Sequence, residues 1–148
     1  MQTFSKYIPV DFSDIPIFIE ANSSHNLQTL RTVAESISGK VYEASSVERM
    51  KLHLAAVFGC NFVNYLFHLS SEITKQAGYD FNVLSPLILE TVRKALTSEN
   101  PKKVQTGPAF RNDRKVIQKH IDLLISCPEW QELYAIMSER ILKMKNEL

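Results

Sequence analysis

The sequence predicts a mainly α-helical fold entered through one β-α-β unit, on three observations. Residues 15–44 read as strand, helix, strand; from Ser46 onward the apolar residues recur at helical spacing; and Ser46 to Gln76 holds no proline and one glycine, Gly59. Ile15 to Ala21 is apolar and rich in β-branched residues, which suits a buried strand beginning at its proline. Ser23 and Ser24 then offer hydroxyls to the free amides of a helix carrying Leu27, Leu30, Val33, Ala34 and Ile37 on one face, with Gly39 as its expected stop. Lys40 to Ala44 is a second short strand, expected to lie parallel to the first. Ser45 and Glu48 have the spacing of a capping box, opening one helix from Ser46 to Gln76 that spans roughly 45 Å at about 1.5 Å per residue. Gly78 stops it, and a further helix runs from Asn82 to Ser98, with Pro86 near its first turn and Glu99-Asn100-Pro101 breaking it. A polar connection from Lys102 to Asn112 leads to a helix capped by Asp113 and reaching Ile125. Pro128 opens the last helix, with Lys143 and Lys145 near its end.

Composition bounds the function. At 148 residues the chain has the size of one ordinary domain and enough length to bury a core. Hydrophobic residues at 45% and charged residues at 22% match a globular protein and exclude a mainly disordered one. A net charge of +1 leaves no basic face for nucleic acid or an anionic membrane, and Lys102-Lys103 is too short to supply one. Cys60 and Cys127 lack a CxxC partner or metal-ligand spacing, so neither a disulfide framework nor a metal site is expected. No leader-like segment opens the chain and no 18 apolar residues run uninterrupted, which makes a reducing cytoplasm the expected location.

Two parallel strands leave both sheet edges unpaired and both faces poorly covered, so more of the sheet is expected upstream. Met1-Gln2-Thr3-Phe4-Ser5, His53-Leu54-Ala55-Ala56-Val57-Phe58 leading to Asn61-Phe62, and Gln105-Thr106-Gly107-Pro108-Ala109 with Arg111 and Asp113 together resemble a family of bacterial two-domain proteins. In that family an N-terminal Rossmann-like NADP-binding domain precedes a helical C-terminal domain of unknown function. The resemblance covers essentially the whole chain. It implies that residues 1–45 are a β-α-β remnant, the C-terminal fragment of a Rossmann-like domain, and that residues 46–148 are a helical substrate and dimerisation domain. The helical part looks like the C-terminal domain of 6-phosphogluconate dehydrogenase and of ketopantoate and pyrroline-carboxylate reductases, which implies a homodimer through long helices. The chain departs from the family pattern at the glycine-rich turn that grips the cofactor. Its four glycines, Gly39, Gly59, Gly78 and Gly107, are isolated. No residue here is therefore assigned to the cofactor: NADP belongs to the full-length family, and none is expected on this chain alone. In the family the match to Met1–Ser5 follows a His-Pro pair, so Met1 reads as an internal methionine and the chain as truncated.

The long helix carries the candidate chemistry. At about 100° per residue, His53, Cys60, Asn61, Asn64 and His68 form a polar stripe among Leu54, Phe58, Phe62, Leu66, Phe67 and Leu69. Buried amides and imidazoles need partners, so the stripe is expected either to line a substrate cleft or to make structural hydrogen bonds in a core or interface. Related reductases place a lysine and asparagines on the equivalent helix to polarise a carbonyl and deliver a proton; Lys51 points away from His53, which moves the expectation to His53 and Asn61 as catalytic groups. Asn64, Gln105, Thr106 and Arg111 are the expected substrate-binding groups, their donors suiting a carboxylate or phosphate. The alternative for the Gln105–Arg111 stretch is a structural turn, with Arg111 pairing with Asp113 or capping a helix. Trp130, Tyr134, Met137 and Ile141 recur at helical spacing and read as core or dimer contacts. The expected function is the substrate-binding and dimerisation portion of an NADP-dependent oxidoreductase, inactive alone. A non-enzymatic helical dimerisation or interaction module and a nucleotide-sensing regulator are the competing readings.

Overall fold

The computed structural model describes Tyr7 and residues 9–147, so the Met1–Ser5 match lies outside the described residues. The chain forms two compact units that meet in sequence between Tyr65 and Leu66.

In the first unit, β1 (Ile17–Ile19) pairs in parallel with β2 (Val41–Glu43), Ile17 standing opposite Val41 and Ile19 opposite Glu43. Helix α1 (Ser24–Glu35) connects them. Both strands are shorter than the apolar runs that encode them. Ile15 N closes a turn onto Phe12 O at 3.0 Å, and Pro16 has no amide to donate, so the ladder begins with Ile17 N on Lys40 O at 2.8 Å. Alternation sorts the sheet faces: Ile19 is buried with Ala34 of α1, while Phe18 stacks on Tyr42 at 5.5 Å on the exposed side. Ser23 caps α1 by accepting from Asn26 N at 3.2 Å. The helix ends before Gly39 is reached, and the buried Ser38 secures its exit. That hydroxyl donates to Ile15 O at 2.6 Å and accepts from Lys40 N at 3.0 Å, tying the helix exit to the starts of both strands.

The Ser45–Glu48 capping box forms with both of its bonds, Glu48 N on Ser45 Oγ at 3.3 Å and Ser45 N on Glu48 Oε2 at 2.8 Å. It starts α2 (Ser46–Ala56), whose Arg49 binds Ala44 O at 2.6 Å and Glu20 Oε2 at 2.6 Å, linking the ends of both strands to the helix. The run from Ser46 to Gln76 is helical throughout, but it is not one uniform α-helix. Val57–Phe62 winds as a π-helix before α3 (Val63–Gln76) resumes the α pattern.

In the second unit, the end of α3 is stopped by Gly78 at φ 84°, a left-handed position open to glycine. A 3-10 turn, Phe81–Leu84, precedes α4 (Ser85–Thr97), so the α-helix begins later than Asn82, with Pro86 in its first turn where a missing amide costs nothing. Another 3-10 turn, Pro101–Val104, occupies the start of the polar connection, followed by α5 (Arg114–Leu123) and α6 (Pro128–Asn146). Gln131 Nε2 donates to Ile121 O at 2.9 Å between these last two helices.

The core is thin for a chain of this length. Among the described residues the buried hydrophobic side chains are Ile19, Ala34, Leu69 and Ala109. Leu52, Leu54, Phe58, Phe62 and Tyr65 on the long helical run, and Leu87, Leu89, Val92 and Leu96 on α4, stay exposed.

Candidate functional site

Within this chain the polar stripe on the long helical run is open to solvent. His53, Cys60, Asn61, Asn64 and His68 are all exposed, because the neighbours expected to enclose them, Leu54, Phe58 and Phe62 above all, are themselves exposed. The stripe's angular register changes as well. Bonds in the π segment span five residues instead of four, so each residue there turns through less than the α-helical step. The rotation from His53 to Asn61 and Asn64 is accordingly smaller than a uniform helix would give. Phe58 and Phe62 meet edge to face at 5.0 Å within this segment, around Gly59, Cys60 and Asn61.

The Gln105–Asp113 stretch lies wholly in the second unit and folds as a tight turn. Gly107 takes φ 106°, which only glycine adopts readily, and opens a turn closed by Arg111 N on Gly107 O at 3.1 Å and Asp113 N on Pro108 O at 2.9 Å. Asn112 at φ 55° reverses the chain so that Asp113 can cap α5, accepting from Val116 N at 3.2 Å. Gln105 Nε2 bonds Thr106 O at 2.9 Å. Capping therefore falls to Asp113, while Arg111 is exposed and forms no ion pair among the described residues.

This turn is one wall of a pocket of about 230 Å³. Thr106, Gly107, Pro108 and Ala109 face His120 of α5 and Tyr134, Met137, Ser138 and Ile141 of α6. His120 Nδ1 lies 2.8 Å from Tyr134 Oη, with the rings edge-on at 5.6 Å. Of the residues expected to bind substrate, Thr106 alone lines this pocket. His120 and Ser138 were not legible as site residues, since nothing in the sequence pairs a position on α5 with one on α6. The i, i+3, i+7 spacing of Tyr134, Met137 and Ile141 did mark one face of α6.

Among the described residues, the turn after β1 in the first unit does not suit a dinucleotide phosphate. The turn after β1 runs Glu20-Ala21-Asn22 with no glycine, Ser23 Oγ already takes the Asn26 amide, and Asn22 Oδ1 takes Asn26 Nδ2 at 2.8 Å. Glu20 borders this turn's open pocket, and the Ser46 hydroxyl and Arg49 hold its carboxyl below the ordinary carboxylate range, an ion pair that keeps the Arg49 guanidinium engaged.

The chain is similar to proteins of known structure. A protein from Bacteroides fragilis described as a putative NADP oxidoreductase is 47% identical over 97% of this chain and 55% of its own, with a TM-score of 0.87. A protein from Thermotoga maritima shares the fold at 24% identity, over 84% of this chain and 51% of its own, with a TM-score of 0.69. The chain spans about half the length of these two proteins. No curated protein matches it. Residues 15–141 match the family described as a domain of unknown function, DUF2520, and the chain belongs to that family.

Proposed function

We propose that the chain supplies the substrate-binding and dimerisation surfaces of an NADP-linked oxidoreductase when joined to a nucleotide-binding domain. The observation that carries this reading is the 47% identity, over nearly the whole chain, to a protein bearing the oxidoreductase name. The helical part then corresponds to the C-terminal domain of 6-phosphogluconate dehydrogenase-like enzymes. His53 and Asn61 handle the proton and polarise the substrate, and Asn64, Gln105, Thr106 and Arg111 bind it. Hydride would be supplied by the reduced cofactor, NADPH, bound by a nucleotide-binding domain outside the residues described above.

The run Ser46–Gln76 is long and apolar enough to cross a membrane by length and composition alone. Asn61 and Asn64 near its middle would then sit in hydrocarbon at high cost, which favours a protein partner for its apolar surface, a homodimer in the cytoplasm. That same exposed surface serves the second reading, a non-enzymatic dimerisation module.

The test is NADPH oxidation, followed by absorbance against a panel of carbonyl and imine compounds, with the chain linked to a nucleotide-binding domain. Turnover that falls about 10²- to 10⁴-fold in His53→Gln with an unchanged melting temperature supports the reading. A dimer without turnover on any compound, or turnover indifferent to His53→Gln and Asn61→Ala, favours the module.

A further inference from the structure

We infer that the pocket between the Thr106–Ala109 turn and helices α5 and α6 is a ligand site for a small, uncharged, ring-sized molecule carrying a carbonyl or hydroxyl oxygen. Three properties of the pocket carry this, independently of any redox role for the chain.

Size comes first. The pocket measures about 230 Å³. A cavity of about 150 Å³ takes benzene, and drug-sized ligands need roughly 300 Å³ or more, so this one suits a single ring with a substituent. Charge comes second. None of its nine lining residues is Asp, Glu, Lys or Arg, and Pro108, Ala109, Met137 and Ile141 make much of the wall apolar. No carboxylate, ammonium or guanidinium group stands in this wall as a fixed counter-charge for an ionised ligand.

Hydrogen bonding comes third and sets the substituent. A neutral imidazole has one N–H and one bare nitrogen, and a phenol has one O–H. The 2.8 Å bond between His120 Nδ1 and Tyr134 Oη uses one of those two hydrogens. If Tyr134 donates, His120 keeps Nε2–H; if His120 donates, Tyr134 keeps its O–H. In either tautomer the pair retains a donor with no protein partner among the described residues, at a half-buried position where an acceptor oxygen would be bound with reduced competition from water.

The experiment uses the whole chain labelled at its methionine methyl groups, with the Met137 signal identified by loss in Met137→Leu. Cyclohexanone is the probe, and methylenecyclohexane and cyclohexanecarboxylate are the comparators. Cyclohexanone is expected to shift the Met137 methyl saturably, with a dissociation constant on the order of 1 mM, and at least about tenfold more tightly than the carboxylate. Ser138→Leu, which fills the pocket, abolishes the shift; Thr106→Leu, at an exposed wall position, does the same should the first variant fail to fold. The paired change His120→Phe with Tyr134→Phe removes this pair's donor while the Thr106 and Ser138 hydroxyls remain, and is expected to reduce the preference for the ketone over methylenecyclohexane; an undiminished preference overturns the role of the pair. The absence of a saturable Met137 shift, a shift that survives both filling variants, or equal binding of the carboxylate overturns the proposal.

Discussion

At Glu90 hydrogen-bonded cations outweigh partial burial in changing a titration. Arg93 Nε and Nη2 hold its carboxylate at 2.8 and 2.9 Å and Lys94 Nζ stands at 3.2 Å, all one turn along α4. These contacts, Arg93 first, lower its pKa from 4.5 to about 2. A lowered acid pKa means the unfolded chain binds the proton first. The contribution to stability is therefore whole above pH 4.5 and is lost as pH falls toward about 2. Side-chain carbon NMR should place the Glu90 midpoint well below 4.5, and added salt should move it back upward because the cluster is open to solvent. A midpoint at the ordinary value would show that the cluster does not persist in solution. The cluster rests on i, i+3 and i+4 spacing along one helix, whereas the His120–Tyr134 bond depends on how α5 meets α6.

Among the helices, glycines with opposite backbone demands separate what is local from what is not. Gly78 sits at φ 84° just beyond α3, whereas Gly59 sits inside the π segment with no positive φ and nothing within 4 Å of where a Cβ would be. Gly78→Ala is expected to cost about 1–2 kcal/mol for the left-handed backbone. Gly59→Ala is expected to stabilise by about 0.5–1 kcal/mol through the lost flexibility of glycine in a helix. Urea unfolding of both variants checks the signs; destabilisation by Gly59→Ala would mark another backbone packed against that face. The stop at Gly78, the Ser45–Glu48 box and the Asp113 cap follow from residues a few positions apart. The π segment breaks a pattern that reads as continuous α-helix, since hydrogen bonds shifted by one residue leave no mark in hydrophobic spacing.

For the whole molecule, exposed apolar surface is the dominant fact. Phe58 is 62% and Phe62 50% exposed, with Leu54 at 56% beside them. Such a face calls for a covering partner, and we expect a symmetric homodimer through the long helical run. Light scattering should give twice the chain mass for the parent and a monomer for Phe62→Glu, whose isolated helix should remain folded because position 62 is already open. A monomeric parent at all concentrations would refute the dimer.

Period and capping were enough to establish a β-α-β start followed by helices, because both act over a few residues and are written in the order of side chains. Tertiary structure alone decided which faces are covered. The stripe from His53 to His68 is expected in a substrate cleft, a core or an interface, and which of these covers it is not written in residue spacing; within this chain it lies exposed beside Leu54, Phe58 and Phe62. The His120–Tyr134 pocket depends on how the turn at Gly107, φ 106°, lies against α5 and α6 and on how those two helices pack together. Contacts of that kind depend on the folding of whole elements, and no local pattern of residues records them.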